Sequence, residues 1–214
     1  MAVRPVFVPF SKAPYFVKID TSFVWNAGQS VSQKKKNVVA LHEAFVRRYP
    51  EKSVLEISTK SLQEEGVSLS AFNLMKFVPS LGKQISVECA YQGSKAFERG
   101  GPYTDIYDKT SRQAKLDERL TDSGRLVCFS FEGESFPPTP HSTFYDWLYI
   151  NALSENPELA RKVLGYDGFT DIEFNPEKGI SCQAQSAAVY KSLHSLGLLD
   201  ECRDFNRFRA LLTR

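Results

Sequence analysis

The chain is poor in arrangements that could bind a metal. Its four cysteines, Cys89, Cys128, Cys182 and Cys202, include no pair at CxxC spacing, and its three histidines, His42, His141 and His194, are scattered. A zinc site is therefore not expected, nor is any other cofactor, and the cysteines read as free thiols. Long hydrophobic runs are missing too. The opening MAVRPVFVPF has one early arginine but no long apolar core, and no stretch reaches transmembrane length. These features predict a soluble cytoplasmic protein that makes no use of a membrane. Charge of one sign is not in excess. Against 27 basic residues stand 25 acidic ones, a net charge of +2, which gives no global attraction to nucleic acid but leaves room for a local basic groove. Gly100, Gly101 and Gly124 make neither a GxGxxG nor a P-loop pattern, and nothing suggests a serine triad, a two-metal site or a Rossmann domain.

What is present suits one substantial domain. The chain has 214 residues, 42% of them hydrophobic, with 16 phenylalanines and 9 tyrosines. That is enough to build a core and to supply stacking surfaces for bases. Short strands are predicted at residues 5–10, 15–25, 54–58 and 125–131. Val38, Leu41, Phe45 and Tyr49 recur at helical spacing, so a helix is predicted over about residues 31–48, ended by Pro50. Ser86 is a fair N-cap for a helix running to the Gly100-Gly101 pair. Further helices are predicted at 111–120, from Ser142 or Thr143 to Leu153, from Asn156-Pro157 to near Gly165, and up to Leu196, with a last short one after Gly197. Thr170–Gly179 reads as a polar loop around a one-turn element. The expected class is α+β, a mainly helical single domain with a small number of short strands.

Four groups of residues suggest chemistry. Glu88, Gln92 and Lys95 stand at offsets of zero, four and seven, which is one helical face. Glu88 and Lys95 would be about 10.5 Å apart along a helix axis, too far to pair but suited to a substrate between them. A buried lysine of lowered pKa could form a Schiff base with an open sugar. The same stripe equally describes a solvated helix face. Asp171, Glu173 and Asn175 alternate, so all three could reach one pocket, or simply cap the next helix. Gln33, Lys34, Lys35 and Lys36 form a tight basic run at a helix start, apt for phosphate or for solvent. Trp25 and Trp147 could stack on a base, although FYDWLYI around Trp147 is apolar all round, as core would be.

The segments LSAFNLM, GKQISVECAYQGSKAF, FYDWLYINAL and FTDIEFNPEKGISCQAQSAAVY resemble the NADAR superfamily. With VFVPF and WNAGQSVSQKKKNVVALHEAF added, nearly the whole chain is similar to the NADAR antitoxins that accompany DarT-type DNA ADP-ribosyltransferase toxins. The resemblance implies a NADAR fold over residues 1–214, with residues 1–60 as a subgroup-specific portion packed on the core. It implies a hydrolase that removes ADP-ribose from guanine bases of DNA, with ADP-ribose as product and the toxin as functional partner. The family's glutamate and its lysine seven positions on fall on Glu88 and Lys95. Cys89 replaces the usual histidine, which points to packing or a specificity adjustment. The family's tryptophan falls on Trp147, its downstream acid on Asp171 or Glu173, and the asparagine of the AFN segment on Asn73, to bind ribose or phosphate or to brace the site. Gln92 would brace or bind the ribose, and Gln33 to Lys36 would touch the diphosphate or the DNA strand. Two other readings remain: a protein that binds ADP-ribose or the toxin without catalysis, and an N-glycosidase acting on free nucleotides or a riboflavin-pathway intermediate.

Overall fold

The computed structural model describes residues 1–140, 142–175 and 181–213. The chain opens with a hairpin of β1 (Ala2–Pro9) and β2 (Phe16–Phe23), paired antiparallel from Ala2 opposite Phe23 to Pro9 opposite Phe16. Helix α1 (Val31–Arg48) follows where the periodicity places it. Ser30 caps it by accepting from the Gln33 amide, Val38, Leu41 and Phe45 form its buried stripe, and Arg47 and Arg48 sit in the last turn, where the helix dipole favours cations. Then come β3 (Val54–Glu56), α2 (Glu64–Ser68), β4 (Met75–Val78), β5 (Lys83–Ser86), α3 (Val87–Gly93) and β6 (Lys95–Phe97). The second half supplies α4 (Ser111–Lys115), α5 (Arg119–Asp122), β7 (Leu126–Phe131), β8 (Glu134–Phe136), α6 (Thr143–Ser154), α7 (Pro157–Val163), β9 (Gly168–Thr170), α8 (Gln183–Ser195) and α9 (Phe205–Leu211).

The strands make three small sheets, in the orders β2-β1-β9-β3, β4-β5 and β6-β7-β8. In the first, β9 lies parallel to β3 and pairs antiparallel with β1 through Phe7 and Phe169. The first sixty residues are thus tied into the later chain by β9. Helix α1 covers this sheet through a cluster of Val6, Phe23, Val38, Leu41, Phe45, Val54 and Ile172. The larger core surrounds α6, which is buried on nearly every face and packs against α3 and α8.

Several expectations are corrected. Among the described residues there are nine strands, so the fold is mixed α+β and not mainly helical. Six of the nine have only three or four residues, too short for alternation to show in sequence. The predicted helix at 111–120 is split into α4 and α5. Between them, Asp117 accepts from the Arg119 side chain and backbone and from Lys109. The helix capped by Ser86 stops at Gly93, not at Gly100-Gly101, because the chain next pairs with β7, Lys95 standing opposite Phe129. Gly100 and Gly101 instead turn the chain after β6. A Cβ on Gly101, whose φ is 85°, would meet the Lys95 carbonyl at 2.3 Å. In the polar loop at 170–179, β9 takes Thr170 and residues 171–175 form no helical element. Residues 176–180 lie outside the described residues, as does His141.

Candidate active site

Helix α3 begins against the LSAFNLM segment. Ser86 caps it by accepting from the Cys89 amide, while the amides of Val87 and Glu88 donate to the carbonyls of Leu74 and Ala71. This docking buries the polar face that periodicity left open. Glu88 is 6% exposed and Gln92 9%. Lys95 stands just past the helix, as the first residue of β6. The 10.5 Å axial separation therefore does not apply, and a side chain closes the distance. Gln92 Nε2 donates to Glu88 Oε1 at 2.9 Å, and Lys95 Nζ donates to Gln92 Oε1 at 2.7 Å. The Lys95 ammonium also lies 4.5 Å from the centroid of the Tyr91 ring. Burial lowers the lysine to about 8, with Lys115 pushing the same way and Glu88 opposing. A larger share of this amine is then neutral near pH 7 than in an ordinary lysine.

Glu88, Gln92 and Tyr91 line a cleft of about 340 Å³. That volume suits a sugar with part of a nucleotide. Lys95 reaches the cleft through Gln92 and Tyr91. Asp171, Glu173 and Asn175 form the facing wall, and Phe174 lines it too. Ile172 is buried in the α1 cluster, which anchors the segment and leaves its neighbours at the cleft. The two acids differ in charge balance. Glu173 is partly buried, which resists ionisation, but Lys34 at 2.6 Å and Lys60 at 3.5 Å outweigh this and hold it ionised. Asp171 has no cation partner among the described residues. It accepts from Gln183 Nε2 and from the Glu173 amide, each at 3.0 Å. Burial and the charge of Glu56 push its carboxyl well above the usual range.

Behind Asp171, Glu56 is fully buried. It accepts from Ser58 Oγ and Thr170 Oγ1, each at 2.6 Å, and from the Ile172 amide at 2.8 Å. His42 Nε2 lies 2.8 Å from Thr170 Oγ1. The threonine proton is committed to Glu56, so His42 donates, and burial holds this histidine neutral by lowering it to about 4.

The remaining expected site residues lie elsewhere. Trp147 packs against Phe136, Phe144 and Phe205, with ring centroids 5.2 to 5.9 Å apart, and does not line the cleft. Its all-apolar surroundings in sequence are those of core, and a stacking role for it is corrected. Asn73 uses its amide to donate to Val67 O and Ser70 Oγ, bracing the loop that receives α3. Gln33 packs under Gly28 with its Oε1 buried and unpartnered. The basic run is divided. Lys34 turns to Glu173, while Lys35 and Lys36 line a separate hollow beside Val39. Cys89 faces away from the cleft, packing with Ile106 and Ala114. Trp25 packs against Phe23 and under the Arg4 guanidinium. Sequence reasoning missed Tyr91, Lys115, Tyr145 and Gln183, all at the cleft, and Glu56 behind it. Of these only Glu56 gave a signal, as a carboxylate inside the apolar strand VLEIS. Among the described residues, no group of three or more His, Cys, Asp or Glu is placed to hold a metal, and no helix is long and apolar enough to cross a membrane.

Fold and cleft together define a mixed α+β protein with a buried carboxylate–amide–amine relay facing an acidic wall. The chain belongs to the family of DarT1-associated NADAR antitoxins, whose family model matches residues 2–214. A search of curated proteins found no match.

Proposed function

We propose that this antitoxin is a hydrolase that removes ADP-ribose from guanine bases of DNA and so reverses the modification made by its toxin. The observation that carries the reading is the Glu88–Gln92–Lys95 relay at the cleft, with an amine that burial brings within reach of its neutral form. The distal ribose would sit between the relay and Asp171. Glu88, as a carboxylate, carries the proton of the glycosidic nitrogen to the ring oxygen while that nitrogen's lone pair opens the ring as an imine. Neutral Lys95 adds to C1″, the C1″–guanine bond breaks, and the departing guanine nitrogen takes the two protons of the lysine amine, leaving the lysine imine. Water then adds to the lysine imine, and ADP-ribose departs, restoring the amine.

A second route is favoured by one observation, that Asp171 lines the cleft directly while Lys95 reaches it through other side chains. In that route a carboxylate activates water and Lys95 acts as an electrostatic group. Borohydride added during turnover separates the two. A covalent ADP-ribose adduct on Lys95 supports the imine, and turnover without an adduct removes it.

The function itself is tested by incubating guanine-ADP-ribosylated DNA with wild type, Lys95→Ala and Glu88→Ala. Release of ADP-ribose by wild type and its loss in both variants supports the hydrolase. Neutralisation of the toxin that survives both substitutions supports a binding protein instead. Release from free nucleotides alone would point to a different substrate.

A further inference from the structure

The cleft does not stand alone. A second cavity of about 560 Å³ adjoins it, and Thr59 and Phe72 line both. Phe72 is partly buried, and its ring contact is the Lys115 amine, 5.3 Å from the centroid. The ridge is fixed to α4, because Ser111 Oγ donates to the Phe72 carbonyl at 2.8 Å. That short helix sets one cation on each side of the ridge, with Lys115 lining the first cavity and Arg112 the second. Residues three apart on a helix are neighbours on its surface. The other cations lining the second cavity are already compensated, Lys83 by Asp108 and Lys109 by Asp117 and Asp105. Arg112 is exposed, and its guanidinium has no ion pair or hydrogen bond among the described residues.

We propose that the second cavity receives the nucleic-acid strand. Phe72 stacks on the modified base at the boundary, Arg112 contacts a phosphate of the strand, and Lys115 faces the diphosphate of ADP-ribose in the first cavity. This rests on the de-ADP-ribosylation reading above. A substrate of two anionic parts joined at one bond needs two cavities that meet at that bond. An aromatic face at the meeting point holds a base that has left its stack, and one uncompensated guanidinium beside it suits one phosphate. A single strand offers that base without the cost of extrusion from a duplex.

The test compares wild type, Arg112→Gln and Phe72→Ala on two substrates, a single-stranded oligonucleotide bearing one ADP-ribosylated guanine and the matching ADP-ribosylated mononucleotide. Arg112→Gln is expected to raise KM for the oligonucleotide about tenfold and to make its salt dependence shallower by about one ion, with a smaller effect on the mononucleotide. Phe72→Ala is expected to raise KM for both, and Phe72→Trp to restore it. Equal effects of Arg112→Gln on the two substrates, or an unchanged salt slope, would overturn the proposal. If wild type releases ADP-ribose from neither substrate, the hydrolase reading fails by itself. Fluorescence anisotropy with an unmodified single strand then decides the groove, supporting it if Arg112→Gln weakens binding and removing it if binding is unchanged.

Discussion

Glu88 and Lys95 are joined through one side-chain amide. Gln92 gives its Nε2 proton to the carboxylate at 2.9 Å and takes a proton of the lysine on its Oε1 at 2.7 Å. The amide cannot flip without setting donor against donor at Lys95, so the two hydrogen bonds fix its orientation and fix the acid and amine relative to each other.

Gln92→Leu should therefore cost more than a contact. Glu88 stays buried with one oxygen deprived of its donor, a loss of about 1–3 kcal/mol, visible as a lower urea midpoint. We expect kcat to fall about tenfold or more while KM changes little, because the geometry of the relay is lost and the cleft wall is kept. Steady-state kinetics on modified DNA, with the urea melt alongside, checks both.

The pH dependence follows from Lys95. If its neutral amine is the nucleophile, kcat/KM rises with pH through about 8, and Lys95→Arg falls by about 100-fold or more at every pH. Stability carries the same signature with a definite sign. Folding lowers this lysine from 10.5 to about 8, so between those values the unfolded chain binds the extra proton. The penalty for burying the ammonium is fully present below about 8 and is relieved as pH rises toward 10.5, so stability should increase over that window. Lys95→Met should flatten the increase, as read by melts at a series of pH values.

Asp171 and Glu173 can be told apart. Asp171→Asn should abolish most turnover with a modest change in stability. Glu173→Gln should mainly change binding, tightening it for an anionic substrate, since it removes a negative charge from the wall and frees Lys34 and Lys60. Glu56→Gln removes the buried charge beside Asp171, whose carboxyl should then titrate at lower pH, which carbon NMR of the labelled carboxyl would follow. A Glu173→Gln variant as inactive as Asp171→Asn would reverse the assignment.

Gly93→Ala weighs two opposing effects inside α3. Alanine gains about 1 kcal/mol of helix propensity. Its methyl would come within 2.4 Å of Tyr107 Cε1 and 3.2 Å of the Tyr103 carbonyl. Overpacking of this kind costs about 1–3 kcal/mol, and the backbone contact leaves little room to relax, so the net effect should be a lower melting temperature. A raised melting temperature would show that the ring yields at no cost.

Much of the architecture was legible wherever one element carried its own signals. Helix α1 announced itself by an apolar stripe at helical spacing and a following proline, and its bounds agree with the reading. Trp147 was legible as core from its apolar neighbours, while the alternation of Asp171, Glu173 and Asn175 allowed the shared wall they form but equally a capping loop, and did not decide between them. The end of α3 was not legible, because local preference allows the helix to continue and only pairing with β7, more than thirty residues later, pulls Lys95 into a strand. Glu56, Gln183 and Lys115 come together from segments far apart in sequence, and no local spacing encodes that meeting.

The sequence by itself determined the helix faces, the caps and the order of glutamate, glutamine and lysine, because these depend on periodicity and on hydrogen bonds within a few residues. Tertiary structure decided that the polar face of α3 is buried, since the LSAFNLM loop takes its first amides. It also decided that Lys95 is an amine of lowered basicity, because desolvation depends on what surrounds a charge in space and not on what precedes it in the chain.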